Sequence, residues 1–245
     1  MGWGTQIRRT LGLPKKVRPL KADYTADNLA VRRKNLGFMS DPVFVGAWAK
    51  AVEGNLAGWN GAPPDIRWRA HTALWAARHA MKIEGDFVEA GVFLGFFSLT
   101  ICHALDFEKS GRKFYLFDTF EGLPDDGTDV TKSRNNLYFD CLSETSKNFA
   151  PFPNAKLVQG VLPESLTQVQ IERIAYLSID LNHAAAEIGV ISELWARLSP
   201  SALVLLDDYA FATHEDQYEA WNAFAARKGV SILTIPTGQG LIIKP

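Results

Sequence analysis

The sequence predicts an α/β fold: a doubly wound, mostly parallel sheet with an antiparallel last strand, preceded by a helical N-terminal extension. Two observations carry that expectation. From residue 86 onward, short apolar runs alternate with segments of helical spacing, the pattern of parallel strands joined by crossover helices on both faces of a sheet. The chain then closes on "VSILTIP", "TGQG" and "LIIKP". Two short strands joined by a glycine-containing connection read as a hairpin, which turns the final strand against its neighbours.

The elements follow in order. "RRTLGLPKKVRPLK" places Arg8, Arg9, Lys15, Lys16, Arg18 and Lys21 ahead of the first acid, Asp23. Such a run is a solvated arm, or a lid or anchor for an anionic ligand or surface. "DPVFVGAWAKAVEGNLAGW" has helical spacing, with Asp41 as N-cap and Pro42 in the first position. After "GAPPD", a second helix in "IRWRAHTALWAARHAMKI" puts Trp68, Thr72, Trp75 and Ala76 on one side. Residues 1–64 are thus expected to form a basic arm and helical extension, and residues 65–245 the α/β domain. In that domain "DFVEAGV", "KFYLFD", "AKLVQG", "IAYLSID" and "SALVLLDD" are strands. "FFSLTICHALDF", "AAAEIGVISELWARL" and "HEDQYEAWNAFAARKG" are helices, and a polar insertion containing "DDGTDVTKSRNNLYFDC" follows the second strand.

Composition narrows the class. At 245 residues, 47% hydrophobic and 22% charged, the chain has ordinary globular proportions. A net charge of -1 argues against nucleic acid as partner. Cys102 and Cys141 have no metal-ligand spacing and suggest no disulfide framework, so a cytoplasmic location is expected. No apolar stretch approaches the roughly 20 residues of a membrane span, and the N-terminus lacks a signal-peptide core.

In open parallel sheets, ligands bind outside the carboxyl ends of the strands. The first strand of the domain delivers "EAGVFLG" there, with Glu89, Gly91 and Gly95, and the second ends on Asp118. The glycines let the backbone approach a ligand, and the acid is placed to accept from ribose hydroxyls. The G-x-G-x-x-G pyrophosphate fingerprint is missing, which disfavours a nicotinamide-dependent oxidoreductase. A nucleoside cofactor without phosphates suits the pattern. S-adenosylmethionine is the common one, and Glu89 would pair with its amino group. An ordinary strand-to-helix turn has the same residues.

Also at strand carboxyl ends, Asp180 follows the fourth strand, and Asp207 and Asp208 follow the fifth. Neighbouring parallel strands bring the three carboxylates to one rim, where their repulsion calls for a cation. No Lys or Arg lies within either motif. An all-oxygen set favours a hard ion such as Mg²⁺. The alternative is that Asp208 caps a turn while Asp180 hydrogen-bonds a loop.

"DFVEAGVFLGFFS", "YLFDTFEGLPDD", "LSIDLN" and "LSPSALVLLDDYAF" together resemble the macrocin O-methyltransferase family of class I S-adenosylmethionine-dependent methyltransferases, over roughly residues 65–245. The resemblance implies a seven-stranded, Rossmann-like sheet and metal-dependent methyl transfer to a hydroxyl, usually on a sugar. It implies cofactor contacts from Glu89, Gly91, Gly95 and Asp118, an adenosine pocket lined by Phe120 and Gly160, and Ser98 as a further candidate. Asp180, Asp207 and Asp208 match the family's metal ligands.

Where some members carry a second acid two residues after the first, this chain has Asn182. An amide cannot usefully accept the hydroxyl proton. His183, and its rival His214 in "ATHEDQ", are the replacement bases, each also readable as a helix-start histidine. His71, His79 and His103 read as structural. Trp59, Trp68 and Trp75 offer sugar-stacking faces or core packing. The function expected is a metal-dependent O-methyltransferase acting on a sugar, glycoside or sugar-nucleotide acceptor, in a protein that could assemble as a homo-oligomer. A metal-independent methyltransferase on a phenolic acceptor, and a non-catalytic nucleotide- or sugar-binding domain, remain open.

Overall fold

The computed structural model describes residues 21–59, 61–123 and 138–245. The basic run before Lys21 and most of "DDGTDVTKSRNNLYFDC" lie outside the described residues. The chain divides into two compact units, residues 1–35 and residues 36–245. In the first, β1 (Tyr24–Ala26) and β2 (Leu29–Val31) pair antiparallel. Asp27 and Asn28 turn the hairpin at positive φ, the backbone that such a two-residue turn demands and short polar side chains tolerate.

The second unit opens with α1 (Pro42–Asn55), whose N-cap Asp41 accepts from the Phe44 N–H at 3.0 Å, as the sequence predicts. In α2 (Arg67–Ala80) the buried face departs from expectation. Ala70, Ala73, Leu74, Ala77 and Ala80 go inward with Ala76, while Trp75 stays 43% exposed against His79. Small side chains let the helix backbone lie close to the layer beneath, where an indole would hold it off.

Among the described residues, the further strands and α-helices are β3 (Asp86–Ala90), α3 (Phe96–Leu105), β4 (Phe114–Asp118), α4 (Leu142–Phe149), β5 (Ala155–Gln159), β6 (Ile174–Ile179), α5 (Ala184–Leu194), β7 (Leu198–Leu206), α6 (Glu215–Lys228), β8 (Leu233–Thr234) and β9 (Gly240–Ile243). The strand expected from Ser201 thus begins three residues earlier. The sheet has seven strands in the order β5-β4-β3-β6-β7-β9-β8, parallel from β5 to β7. β9 runs antiparallel to β7 and to β8, so the expected antiparallel last strand is present.

Apolar side chains fill both faces. Ala73, Leu74, Leu99 and Ile101 pack with Phe87 and Leu116 on one side; Val190, Leu194, Trp221 and Phe224 pack with Val88 and Leu177 on the other. Strand order reverses between β3 and β6, which makes their carboxyl ends the switch point of the sheet. Register fixes the rest. Phe117, Ala90, Ile179 and Leu206 pair across four adjacent strands in one row. The next residue on each strand is Asp118, Gly91, Asp180 or Asp207, so all four emerge side by side on the same rim.

Candidate functional site

The turn after β3 is built by backbone. Gly91 has φ +86, and a Cβ there would lie 1.8 Å from the Asp180 carbonyl oxygen, so only glycine lets the β3 and β6 ends meet. Gly95 has φ +89 at the start of α3, with the Phe149 ring 2.7 Å from where a Cβ would stand. Asp118 ties this turn down. Its Oδ2 accepts from the Val92 and Phe93 N–H groups at 2.7 and 2.9 Å, and its Oδ1 from Phe120 N–H at 2.7 Å. The carboxylate expected at a ribose therefore also anchors the loop that surrounds it. Gly160 follows β5 and donates its N–H to the Asp118 carbonyl at 2.9 Å. Phe120 is fully buried, with φ +55.

Beneath the turn lies a buried polar group. Glu89 is 3% exposed, and burial pushes its carboxyl up to about 8. Glu89 Oε2, Ser98 Oγ, Ser178 Oγ and Tyr176 Oη are buried with no hydrogen-bond partner among the described residues. Glu89 stands opposite Ser178 in the β3–β6 register. Unsatisfied buried polar atoms are uncommon and call for a partner; a cationic group of a ligand would satisfy Glu89.

On the far side of the switch point, Asp180, Asp207 and Asp208 offer ligand oxygens that all lie within 4.8 Å of one another. Two like charges ~4 Å apart repel by about 4 kcal/mol at an effective dielectric near 20. Burial raises both Asp180 and Asp207 above the usual carboxylate range, although Arg69 pulls each of them back. Arg69 is the partner that the local motifs lack. Its Nη1 lies 2.6 Å from Asp207 Oδ2 and 3.1 Å from Asp208 Oδ1, and its guanidinium carbon stands 4.5 Å from the Phe211 ring centroid. Gln239 Nε2 donates to Asp207 Oδ1 at 3.0 Å, and Asn182 Nδ2 to Asp180 Oδ1 at 3.2 Å.

The histidines differ in setting. His183 is exposed and caps α5, its Nδ1 accepting from the Ala186 N–H at 3.3 Å. His214 is buried just ahead of α6, with Nε2 3.6 Å from Asp208 Oδ2. His71 stacks on Phe38, and His103 packs edge-on to Phe152.

The fold therefore gathers Gly91, Asp118, Asp180 and Asp207 on one rim, with Asp208 and His214 beside them. It sets His183 one turn away at a helix start, and Glu89 and Ser98 in the floor. Sequence reasoning missed Arg69, Phe211 and Gln239. Arg69 did leave a signal: it borders the alanine stripe of α2, and an arginine on a buried face needs an acid opposite it.

A family model described as macrocin-O-methyltransferase (TylF) matches residues 69–235. The chain is 25% identical over 162 residues to the 8-demethyl-8-(2,3-dimethoxy-alpha-L-rhamnosyl)-tetracenomycin-C 4'-O-methyltransferase of Streptomyces olivaceus, covering 61% of each chain. It is 25% identical over 166 residues to the mycinamicin III 3''-O-methyltransferase of Micromonospora griseorubida, covering 61% of this chain and 63% of that one. The match thus spans less than two thirds of either curated relative. Among solved structures, the O-methyltransferase NovP superimposes with a TM-score of 0.67 at 18% identity, over 82% of this chain and 96% of that one. At that identity the likeness speaks to the fold.

Proposed function

Because the chain belongs to the macrocin O-methyltransferase family, we propose that it moves a methyl group from S-adenosylmethionine to a hydroxyl of a small sugar or glycoside acceptor, with a divalent cation at the acid rim. The observation that carries this reading is the contact between the two halves of this rim, the glycine side and the acid side. The Gly91 turn abuts Asp180 at the switch point, which puts the glycine turn and Asp118 next to three convergent carboxylates. The sugar acceptor is carried over from the name of the Streptomyces olivaceus relative, an O-methyltransferase of a rhamnosyl-tetracenomycin.

S-adenosylmethionine supplies a methyl group on a sulfonium that leaves as a neutral thioether, so no acid is needed at the sulfur. In this reading Gly91 and Gly95 give the cofactor close access to backbone, and Asp118 receives the ribose hydroxyls. Phe120 and Gly160 border the adenosine. Glu89, with Ser98 nearby, faces the amino group. Asp180, Asp207 and Asp208 fit a hard cation by charge, by donor type and by the closeness of their oxygens. An ion held there would supply Lewis acidity, lowering the pKa of a hydroxyl bound to it.

The chain's own groups then handle the proton. His214 has the better support as base, since it is held beside the acid pair, with Nε2 3.6 Å from Asp208 Oδ2. His183 spends Nδ1 on the helix cap, which fixes its neutral proton on Nε2 and leaves no lone pair to receive another. Asn182 holds the Asp180 carboxylate in place instead of acting as a base.

One observation favours a second reading, in which transfer needs no metal: Arg69 already supplies positive charge to the acid pair. Purified protein given methyl-labelled cofactor and a panel of deoxysugar glycosides tests both. Label transfer that stops with EDTA and returns with Mg²⁺ supports the first. Transfer indifferent to both supports the second, and cofactor binding without transfer to any acceptor defeats each.

A further inference from the structure

The acid pair has protein donors on three of its four oxygens, and a histidine beside the fourth. Asp207 Oδ1 takes the Gln239 amide and Oδ2 takes Arg69. Asp208 Oδ1 takes the same Arg69 nitrogen, and Oδ2 faces His214. Among the described residues, Arg69 is the one group whose departure frees an oxygen on each acid at once. A single atom, Nη1, bridges the two carboxylates as a metal ion does.

That guanidinium is held by more than charge. α2 brings it in from 138 positions away in sequence, 9% exposed. Phe211 covers its face, a cation–π arrangement. The ring is itself wedged against the hairpin loop, since a Cβ on Gly238 would stand 2.2 Å from it. The same loop delivers Gln239. Arginine thus occupies a formed seat rather than a passing surface contact.

We propose that Arg69 and a divalent ion are mutually exclusive occupants of the position between Asp207 and Asp208, so that the ion binds this pair only by displacing the guanidinium. This rests on the metal reading of the acid rim. It makes Arg69 a positioning residue: it sets how tightly the centre takes its ion and which oxygens it presents, without touching either substrate. A divalent ion and a guanidinium on the same two oxygens would repel strongly at such separations; the guanidinium offsets one of the pair's two charges, and a divalent ion would offset both. Displacement also gives the centre two definite arrangements, one bridged by arginine and one by metal.

The test is Mn²⁺ titration of the full chain, with free ion followed by electron paramagnetic resonance and thermal midpoints recorded with and without Mn²⁺. Arg69→Met removes the competitor. It is expected to bind Mn²⁺ at least tenfold more tightly than wild type and to gain a larger rise in midpoint on adding the ion. Phe211→Leu leaves every carboxylate and the arginine in place but removes the ring that seats it. It is expected to tighten Mn²⁺ at least threefold, and it keeps the test decisive if Arg69→Met does not fold without metal. Equal or weaker Mn²⁺ binding in both variants, with wild type binding well, would overturn the exclusion while leaving the metal reading intact. Failure of all three proteins to bind Mn²⁺ would overturn both.

Discussion

The two halves of the rim, the glycine side and the acid side, satisfy their carboxylates by opposite means. At Asp118 the donors are backbone N–H groups of Val92, Phe93 and Phe120, from the turns after β3 and β4 themselves. At Asp207 and Asp208 they are side chains, and two of them come from far away: Arg69 on α2 and Gln239 before β9. A backbone donor cannot leave without undoing its turn. A side-chain donor can rotate away, be replaced, or yield to an ion. The glycine rim is therefore a fixed cradle and the acid rim an exchangeable one. Fixed donors suit holding one cofactor in one pose, and exchangeable donors suit recruiting a cation and an acceptor together.

The contrast breaks most sharply at Asp207. Asp207→Asn takes away one charge of the centre and half of the Arg69 bridge, while the β3 turn is untouched. Turnover with labelled cofactor should fall on the order of a thousandfold, about 4 kcal/mol in the barrier. Cofactor affinity by titration calorimetry should stay nearly unchanged. Parallel loss of both would mean that the two rims do not act separately.

Gly91 tests the fixed rim. Gly91→Ala puts a methyl into the Asp180 carbonyl at a left-handed backbone position, and should cost roughly 2–4 kcal/mol of stability from backbone strain and overpacking together. Gly111→Ala shares the positive φ but meets nothing within 4 Å, so it should cost only the backbone strain, about 1–2 kcal/mol. Urea unfolding of the two variants separates strain from collision. Equal costs would mean that the β3 and β6 ends do not close on each other.

The same division explains what could be read from the sequence. The strands, their order along the chain, the closing hairpin and the residues 89, 91, 118, 180, 207 and 208 were legible because each is encoded locally, as an apolar run ending in a small or acidic residue. Arg69 was not, because an ion pair across 138 positions has no local spacing. It is specified by which face of α2 turns inward, and reading that face through Trp75 instead of the alanines hid the arginine. Gln239 was hidden similarly: "TGQG" reads as a turn, and the turn does not say where its amide points. The three donors on Asp118 also went unseen, since an acid at a strand end suggests a ligand before it suggests its own loop.

At Asp118 the proposed ribose contact can be separated from the loop contacts. Asp118→Ala should weaken cofactor binding by about 1.5–3 kcal/mol, the range for hydrogen bonds to a charged group. It should also lower the thermal midpoint without cofactor, because three N–H groups lose their acceptor. A lower midpoint with an unchanged dissociation constant would keep Asp118 as a loop anchor and remove it from the ribose.

The mildest effect is expected at Glu89, where the floor of the fixed rim titrates. Its carboxyl, ordinarily near 4.5, is pushed up to about 8 by burial. The folded protein thus holds a proton there that the unfolded chain has released across the window from 4.5 to 8. Stability from this group is fully present below pH 4.5 and is lost as pH rises toward 8. Glu89→Gln keeps the shape and cannot ionise. Between about pH 6 and pH 7 wild type should therefore lose about 1.4 kcal/mol relative to Glu89→Gln, the value of one proton over one pH unit. Denaturant unfolding of both proteins at the two pH values measures the difference directly. Parallel pH profiles would mean that Glu89 is already ionised in the fold, held by a cation from the chain itself, and that the pocket floor needs no ligand to complete it.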